Sequence, residues 1–524
     1  MTPRPAVLAE REPRSPATPN QPAGRSSRPS RLRLDRYTAL VLAITAGGAL
    51  LRFALLGRQP LWRDEAFTAL AQHRSLGAML SVVAHDSAPP LSYLLQHAIL
   101  SVWGGPAGLR ALSALAGIAA IPLGAALGRR VGGDRVGLWC AGTFAVLPSL
   151  VLESRDARMY ALATTLVLAA ALALWRLVER PGWPRLLVYA ACTAAALATN
   201  YFAAFAIAAQ LGAALVVLRP SRRTMVRAVV AAGSGALILV PWLVYARAQF
   251  SHGSGPFWVG GVGFSTLSGV VGQFFAGPSI DPGVSGEVAL DVVQAVVIVV
   301  GLGALVWVLA RWRARTGELR RSASYLGLGA LGAVAGLVVI SIWHPLVEAR
   351  YASVMWGPLV VLVGLGFADL PWRRLACIAL AVAAVVLSFA LTEPDTPALV
   401  RRLNGHIGRH DLVSSAPAAY LLLLHYGAPT TRARTRIVSA DVPWYWGTAA
   451  FPHGAVLRSY PADVLAGGGT IDFVDVPGQP RAIAPPPPYR AVGRRQCFST
   501  ICLTVYRSST PDRPAGSAAA RSSR

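Results

Sequence analysis

Long apolar runs dominate this chain, and many approach the ~20 residues that a helix needs to cross a bilayer. Only 14% of the residues are charged and the mean hydropathy is +0.49, whereas a soluble globular domain carries about a quarter charged residues. The sequence therefore predicts a polytopic α-helical membrane protein. The predicted spans lie near 38–57, 108–128, 136–152, 159–178, 185–199, 201–218, 228–246, 287–310, 323–343, 350–370 and 373–391.

The net charge of +25 raises the question of a nucleic-acid partner. The basic residues, however, occur in short clusters between apolar runs, as near Arg129 and Arg222, which is typical of cytoplasmic membrane loops. With a cytoplasmic N-terminus, these clusters fall inside only if the apolar stretch 89–104 does not span. We therefore predict no nucleic-acid partner and about eleven spans in the plasma membrane. The segment 89–104 is predicted to be a helix that lies at the outer surface or dips into the membrane.

Changes in composition divide the chain into four parts. Residues 1–36 are rich in Pro, Arg and Ser and are predicted to be a disordered cytoplasmic tail. Residues 37–391 form the transmembrane domain, with a first extracytoplasmic loop at 58–107. Residues 392–509 are predicted to form a small extracytoplasmic α/β domain, and 510–524 a second disordered tail.

The predicted C-terminal domain contains short strand patterns between turn residues. TRIVSA, TIDFVDV and CLTVYRS have the pattern of strands, and HDLVSSAPAAYLLLLHYG predicts a strand, a turn and a helix. Cys497 and Cys502 flank FSTI, and their spacing permits a disulfide if this domain is exported. Two buried thiols are the alternative.

Four segments on the predicted outer side concentrate ionisable and aromatic residues: 62–65, 85–93, 153–160 and 344–351. Ionisable groups at the membrane are costly unless they are paired, solvated or functional. A carboxylate can take a proton from a hydroxyl, and arginines can hold a phosphate by forked hydrogen bonds. A lipid-linked sugar phosphate requires this combination at a membrane interface.

The motifs DEAFT, PPLSYLL, SRDARMYAL and EARY, in this order, resemble the GT-C fold glycosyltransferases. The most similar group is family 39, which includes protein O-mannosyltransferases and aminoarabinose transferases. The resemblance covers about 38–391 and, more loosely, the exported domain. It implies transfer of a sugar from a polyprenyl-phosphate carrier to a protein, lipid or polysaccharide acceptor in the cell envelope, with inversion at the anomeric carbon. Mannose is the sugar that the resemblance favours.

The resemblance also assigns roles to individual residues. It implies that Asp64 is the general base with Glu65 as its companion, and that Arg158, Arg350 and Tyr351 lie near the carrier phosphate. Further site candidates are Arg155, Asp156, Tyr160, His344, His85 and Asp86.

One departure concerns the loop before PPLSYLL. Many relatives have His before the Pro-Pro pair, where this chain has Ala88, and His85 is the nearest substitute. No cofactor is required by the implied reaction. A divalent cation near Asp64 is compatible with it, although no ligand spacing indicates one.

Plainer interpretations of these residues stay open. Asp64 could only cap the helix of AFTALAQH, and Glu65 could be a solvated first-turn acid. The arginines could pair with neighbouring acids or lipid headgroups, the tyrosines could belong to an interfacial belt, and His344 could end a helix. For the whole chain, the alternatives are a transporter or flippase, which the absence of an internal repeat disfavours, and a non-catalytic scaffold.

Overall fold

The computed structural model describes residues 35–251, 259, 261–277, 288–390, 396–408, 410–466, 468–479, 482–498 and 501–509. The tails predicted to be disordered, 1–36 and 510–524, lie outside these residues apart from Asp35 and Arg36. Asp35 precedes the first helix and Arg36 begins it.

Most helices of the membrane part follow the predicted apolar runs, and three further helices occupy the first loop. Two more, Ala248–Ser251 and Phe264–Ala276, lie between the predicted runs 228–246 and 287–310. The bounds of all these helices are α1 (Arg36–Phe53), α2 (Arg63–Gln72), α3 (Leu76–Ala84), α4 (Leu91–Leu100), α5 (Gly105–Val146), α6 (Pro148–Glu153), α7 (Tyr160–Glu179), α8 (Trp183–Thr199), α9 (Ala203–Ala213), α10 (Arg222–Ile238), α11 (Val240–Tyr245), α12 (Ala248–Ser251), α13 (Phe264–Ala276), α14 (Val288–Ala310), α15 (Gly317–Ile340), α16 (Ala349–Ala352), α17 (Trp356–Asp369) and α18 (Arg373–Ala390).

Among the described residues, 6 helical segments are long and apolar enough to cross a membrane. They are Gly105–Val146, Tyr160–Glu179, Arg222–Tyr245, Val288–Ala310, Gly317–Ile340 and Ala349–Asp369. The stretch predicted to lie on the surface contains α4, whose 10 residues reach only about 15 Å at 1.5 Å per residue, too short to cross. The count of about eleven spans and the orientation of the termini stay predictions.

Helix α5 contains a break that separates two of the predicted spans. Gly132 and Gly133 have non-helical backbone angles, and Gly133 has a φ of 76° that favours glycine. The two arms pack closely, since a Cβ on Gly128 would lie 2.5 Å from the Cys140 sulfur. The chain therefore reverses at the basic cluster, where the sequence predicts a loop.

The C-terminal domain is a mixed sheet flanked by helices, as predicted. Its strands are β1 (Leu412–Ser415), β2 (Thr435–Val438), β3 (Val456–Leu457), β4 (Ile471–Asp475), β5 (Tyr489–Ala491), β6 (Gln496–Phe498) and β7 (Ile501–Ser508). The helices of this domain are α19 (Thr396–Asn404), α20 (Pro417–Tyr426), α21 (Pro429–Arg434) and α22 (Ala462–Ala466).

The sheet order is β3-β2-β1-β4-β7-β5, with β6 paired to β7. Strands β1 to β4 pair in parallel, whereas β7 runs antiparallel to β4, β5 and β6. All residues of β1 and β4 are buried, as expected for strands covered on both faces. The hairpin of β6 and β7 carries a disulfide between Cys497 and Cys502. The sequence pattern missed β3, β5 and β6, which have only two or three residues each.

The sheet domain packs on the first loop through α2 and α20. The Leu61 amide donates to the Tyr426 hydroxyl at 2.6 Å, and Arg74 donates to the Ala450 carbonyl at 2.9 Å. Direct hydrogen bonds therefore attach the domain beside the acidic pair that begins α2.

Candidate active site

A cavity of about 690 Å³ lies where α2 and α7 begin, next to the C-terminal domain. All four polar segments singled out in the sequence contribute to its wall, through residues such as Asp64, Asp86, Arg158 and Arg350. Segments far apart in sequence are thus brought to one site. The other lining residues are Arg63, Phe67, Ser87, Pro89, Met159, Tyr160, Asn200, Tyr201, Phe202, Gln249, Phe250, Val259, His344, Pro345, Leu346, Tyr351, Leu421, Trp444, Tyr445, Trp446 and Gly447.

Asp64 lies between two arginines in the cavity wall. Its Oδ1 accepts from Arg63 Nε at 2.9 Å, and its Oδ2 accepts from Arg350 Nη1 at 3.0 Å. Helix α2 begins at Arg63, after Trp62 in the N-cap position, so the interpretation of Asp64 as a helix cap is wrong. Burial raises the pKa of Asp64, but the charges of Arg63, Arg158 and Arg350 outweigh it and hold this pKa well below its usual range. The carboxylate is therefore ionised at neutral pH.

Arg158 lines the cavity with part of its guanidinium unused. It is 8% exposed, and its Nη1 donates to the Tyr93 hydroxyl at 3.1 Å and to Thr68 Oγ1 at 3.5 Å. Its buried Nε has no hydrogen-bond partner among the described residues. A buried donor without a partner is costly, and an anion in the cavity would satisfy it.

Asp86 is the second carboxylate in the cavity wall. Burial raises the pKa of Asp86 above its usual range, although the charge of Arg158 opposes this rise. The cavity thus holds two carboxyl groups, Asp64 and Asp86, whose surroundings displace their pKa values in opposite directions.

Aromatic rings surround these charges. Tyr351 stacks on Phe202 with ring centroids 4.7 Å apart, and Arg350 lies 5.2 Å from the Trp62 ring. Tyr160 is buried in the wall at the first position of α7. His344 lies in the wall too, four residues beyond the last residue of α15, so it follows the helix end rather than forming it.

Glu65 lies outside the cavity and forms a buried ion pair. Its side chain is 1% exposed, and Arg110 donates to it from Nε at 2.6 Å and from Nη2 at 2.5 Å. The remaining Arg110 donors bind the carbonyls of Leu56, Gln59 and Pro60 at 2.9 to 3.1 Å. The interpretation of Glu65 as a solvated first-turn acid is therefore wrong.

The same pair holds the loop that carries Arg158. Glu65 Oε1 accepts from the Ala157 amide at 2.9 Å, and Gln96 donates to the Ala157 carbonyl at 2.9 Å. Ser113 donates to the Arg158 carbonyl at 2.9 Å. These buried contacts fix the backbone on both sides of the cavity-facing guanidinium.

Three further candidates lie outside the cavity wall. Arg155 donates to the carbonyls of Leu51, Arg52 and Ala54 at the end of α1. Asp156 accepts from Trp62 Nε1 at 3.0 Å. His85 is exposed and contacts the Ser81 carbonyl at 2.8 Å, so the structure does not bring it to the cavity.

Sequence reasoning missed several residues of the site. Arg110 carried a signal, because an ionisable residue within an apolar run is a candidate for a buried role. Trp444, Tyr445 and Trp446 carried none, since nothing in a short aromatic run of the C-terminal domain indicates which surface it contacts. Across the described ranges, no three His, Cys, Asp or Glu side chains form a group that could hold a metal ion.

Comparison with known proteins places this geometry in a fold family. Residues 98–254 match the family model of dolichyl-phosphate-mannose-protein mannosyltransferases. ArnT from Cupriavidus metallidurans in the apo state is similar over 89% of this chain and 98% of its own, with a TM-score of 0.60 and 13% identity. The chain has the GT-C fold.

A second structure with the GT-C fold extends the comparison. ArnT from the same organism bound to undecaprenyl phosphate covers the same shares of both chains, with a TM-score of 0.56 and 12% identity. No curated protein sequence matches the chain. The resemblance found in the sequence motifs is therefore confirmed at the level of the fold and of the family model.

Proposed function

We propose that this protein is a membrane glycosyltransferase that moves a sugar from a polyprenyl-phosphate carrier to an acceptor outside the plasma membrane. The observation that carries the proposal is the ionised Asp64 beside Arg350, in one cavity with Arg158, whose Nε has no hydrogen-bond partner among the described residues. A base and a phosphate site within one cavity are what glycosyl transfer from a lipid phosphate needs.

The charges of the cavity fit a donor of this class. Among the described residues that line it, three arginines face two aspartates, an excess of one positive charge. A sugar joined to a polyprenyl phosphate carries one negative charge on its phosphodiester. Helix α7 also begins at the cavity, and a helix N-terminus attracts anions.

The comparisons support the identity of the carrier and suggest the sugar. The similar ArnT structure is described as bound to undecaprenyl phosphate, and the matching family model is described as using dolichyl-phosphate mannose. We therefore propose a polyprenyl phosphate as carrier and mannose as the first sugar to test, with a protein, lipid or polysaccharide of the envelope as acceptor.

The chemical step is a single displacement. The acceptor oxygen attacks the anomeric carbon, Asp64 takes the hydroxyl proton, and the bond between that carbon and the phosphate oxygen breaks. The electron pair leaves with the polyprenyl phosphate, whose added charge Arg158 and Arg350 stabilise. Attack opposite the leaving group inverts the anomeric carbon. The step balances without a cofactor.

The test compares two isosteric variants in nanodiscs, Asp64→Asn and Asp86→Asn. Labelled polyprenyl-phosphate mannose and native envelope extract are supplied, and transfer of label to an acceptor is measured. Loss of the base should lower the transfer rate of Asp64→Asn by roughly 10²–10⁴-fold. Asp134→Asn is the matched control, since Asp134 is exposed and pairs with Arg129 away from the cavity.

Each outcome assigns a role. If Asp86→Asn abolishes transfer of label and Asp64→Asn does not, Asp86 and not Asp64 is the general base. Normal transfer by both variants would remove the carboxylate mechanism. Movement of intact labelled donor across the membrane without transfer would establish the flippase alternative instead.

A further inference from the structure

The exported domain contributes an aromatic turn to the cavity wall. Trp444–Trp446 form a short 3-10 helix, and all three aromatic side chains line the cavity together with Asp64. Neighbouring rings of the turn lie with their centroids 6.2 Å and 5.8 Å apart. This surface, here called the aromatic turn, belongs to the α/β domain and not to a membrane-spanning helix.

The aromatic turn has a defined position relative to the proposed base. The Arg63 guanidinium lies 4.6 Å from the centre of the Trp446 ring and donates to Asp64 at 2.9 Å. Gly447 follows at a φ of 78°, and a Cβ there would lie 2.9 Å from Leu421 and 3.0 Å from Phe67. The turn therefore packs closely against α2 and α20, and these contacts fix its position next to the start of α2.

Trp446 carries an unused hydrogen-bond donor. Its side chain is 5% exposed, and its buried Nε1 has no hydrogen-bond partner among the described residues. A buried Trp N–H usually has a partner, so this donor beside the cavity lacks the partner that a bound ligand would supply.

We infer that the aromatic turn is the acceptor subsite and that it binds a carbohydrate, which names the acceptor class for the proposed glycosyl transfer and rests on that function. A pyranose ring presents C–H groups on its face and hydroxyls around its edge. The rings of the turn fit the face, and the Trp446 N–H fits an edge hydroxyl. Arg63 and Asp64, next along the wall, fit the hydroxyl that receives the sugar.

A peptide acceptor fits this surface less well. Peptides in clefts commonly add a strand to a sheet edge through main-chain hydrogen bonds. The turn offers no such edge, since the Trp446 amide bonds the Pro443 carbonyl and the Gly447 amide bonds the Trp444 carbonyl, at 3.2 Å and 3.1 Å. The turn presents aromatic rings and side-chain donors rather than a sheet edge.

The experiment measures ligand binding separately from donor consumption. Full-length wild type, Trp446→Phe and Trp446→Ala are placed in nanodiscs with mannotriose, maltotriose, chitotriose or a threonine-containing hexapeptide. Saturation-transfer NMR gives the dissociation constant of each probe. Trp183→Phe is the matched control, since Trp183 is 69% exposed and lies outside the cavity.

At least one trisaccharide should bind wild type through its ring C–H groups, and the peptide should not. Trp446→Phe keeps an aromatic face and loses the N–H, so its affinity should fall roughly two- to tenfold. The affinity of Trp446→Ala should fall further, and that of Trp183→Phe should equal the wild-type affinity. Thermal unfolding confirms that Trp446→Phe is folded.

Binding of the peptide alone, of no trisaccharide, or of a trisaccharide with equal affinity by wild type and Trp446→Phe would overturn the subsite. Consumption of labelled donor in the same samples tests the proposed function separately. Binding that depends on Trp446 without donor consumption would keep the subsite and remove the transferase. Donor consumption with trisaccharide binding that does not depend on Trp446 would keep the transferase and remove the subsite.

Discussion

Asp64 and Glu65 are adjacent in the chain yet belong to two different regions of the molecule. The Asp64 side chain lines the cavity and is 20% exposed, whereas the Glu65 side chain is 1% exposed and faces the helices. Successive residues of a helix point about 100° apart. The first turn of α2 therefore gives one acid to the cavity and the other to the protein interior.

The difference in burial separates an acid that a substrate can reach from an acid that holds the fold. Asp64 pairs with arginines that also face the cavity, and a substrate can compete for these contacts. Glu65 and Arg110 satisfy each other and tie the first loop to the loop that carries Arg158. A reactive group needs such a rigid surrounding to hold its geometry, and under the proposed function the two acids would divide these roles.

The largest expected effect on stability comes from neutralising Glu65, with the same isosteric change at Asp64 as the comparison. Glu65→Gln leaves the Arg110 charge buried without a counterion, and breaking a buried pair costs about 3–5 kcal/mol. Asp64→Asn should cost much less, because its partners are partly exposed and screened. Unfolding of both variants in the same detergent, monitored by heat or denaturant, measures the difference.

A double-mutant cycle sharpens this comparison. Arg110→Met combined with Glu65→Gln removes both charges, so the double variant should be more stable than either single variant. Equal stability losses for Asp64→Asn and Glu65→Gln would contradict the division of roles.

An intermediate effect is expected at Arg158, where the two regions meet. Arg158→Gln removes the charge facing the cavity and leaves the backbone contacts of Ser113 and Glu65 in place. A hydrogen bond to a charged group contributes about 1.5–3 kcal/mol, so donor affinity should fall roughly 10- to 150-fold. Binding of polyprenyl phosphate to the variant checks this, with Arg129→Gln as control. An unchanged affinity would place the phosphate elsewhere.

A pH-dependent effect concerns Asp156, behind the cavity wall. Burial, with the charge of Glu65, raises the pKa of Asp156 to about 7, against about 4 in the unfolded chain. Between these values the native state holds a proton that the unfolded state has released, so this contribution to stability falls as pH rises from about 4 to about 7. It is constant above that window.

Asp156→Asn keeps an acceptor for Trp62 and removes the titration. Wild type should therefore lose thermal stability relative to the variant between pH 5 and pH 8. The melting temperature of both proteins is measured at each pH. If the difference between them stays the same across this range, Asp156 does not titrate there.

The strands β1, β2, β4 and β7 could be predicted from sequence, because alternation and turn residues act over a few neighbouring positions. The convergence of Asp64, Asp86, Arg158 and Arg350 could be inferred from their common side of the membrane. Separating Asp64 from Glu65 could not, since both are acids in one turn and only packing decides which face is buried.

The sequence by itself determined the membrane character, the C-terminal sheet domain and the segments that hold the site. These follow from hydrophobic length, charge distribution and local propensity, which need no knowledge of distant contacts. Only the tertiary structure decided that Arg110 pairs with Glu65, that Arg158 faces the cavity, and that Trp446 of the C-terminal domain lies beside Arg63 at its start. Those contacts join residues far apart in the chain, and they depend on how helices and domain pack rather than on any local pattern.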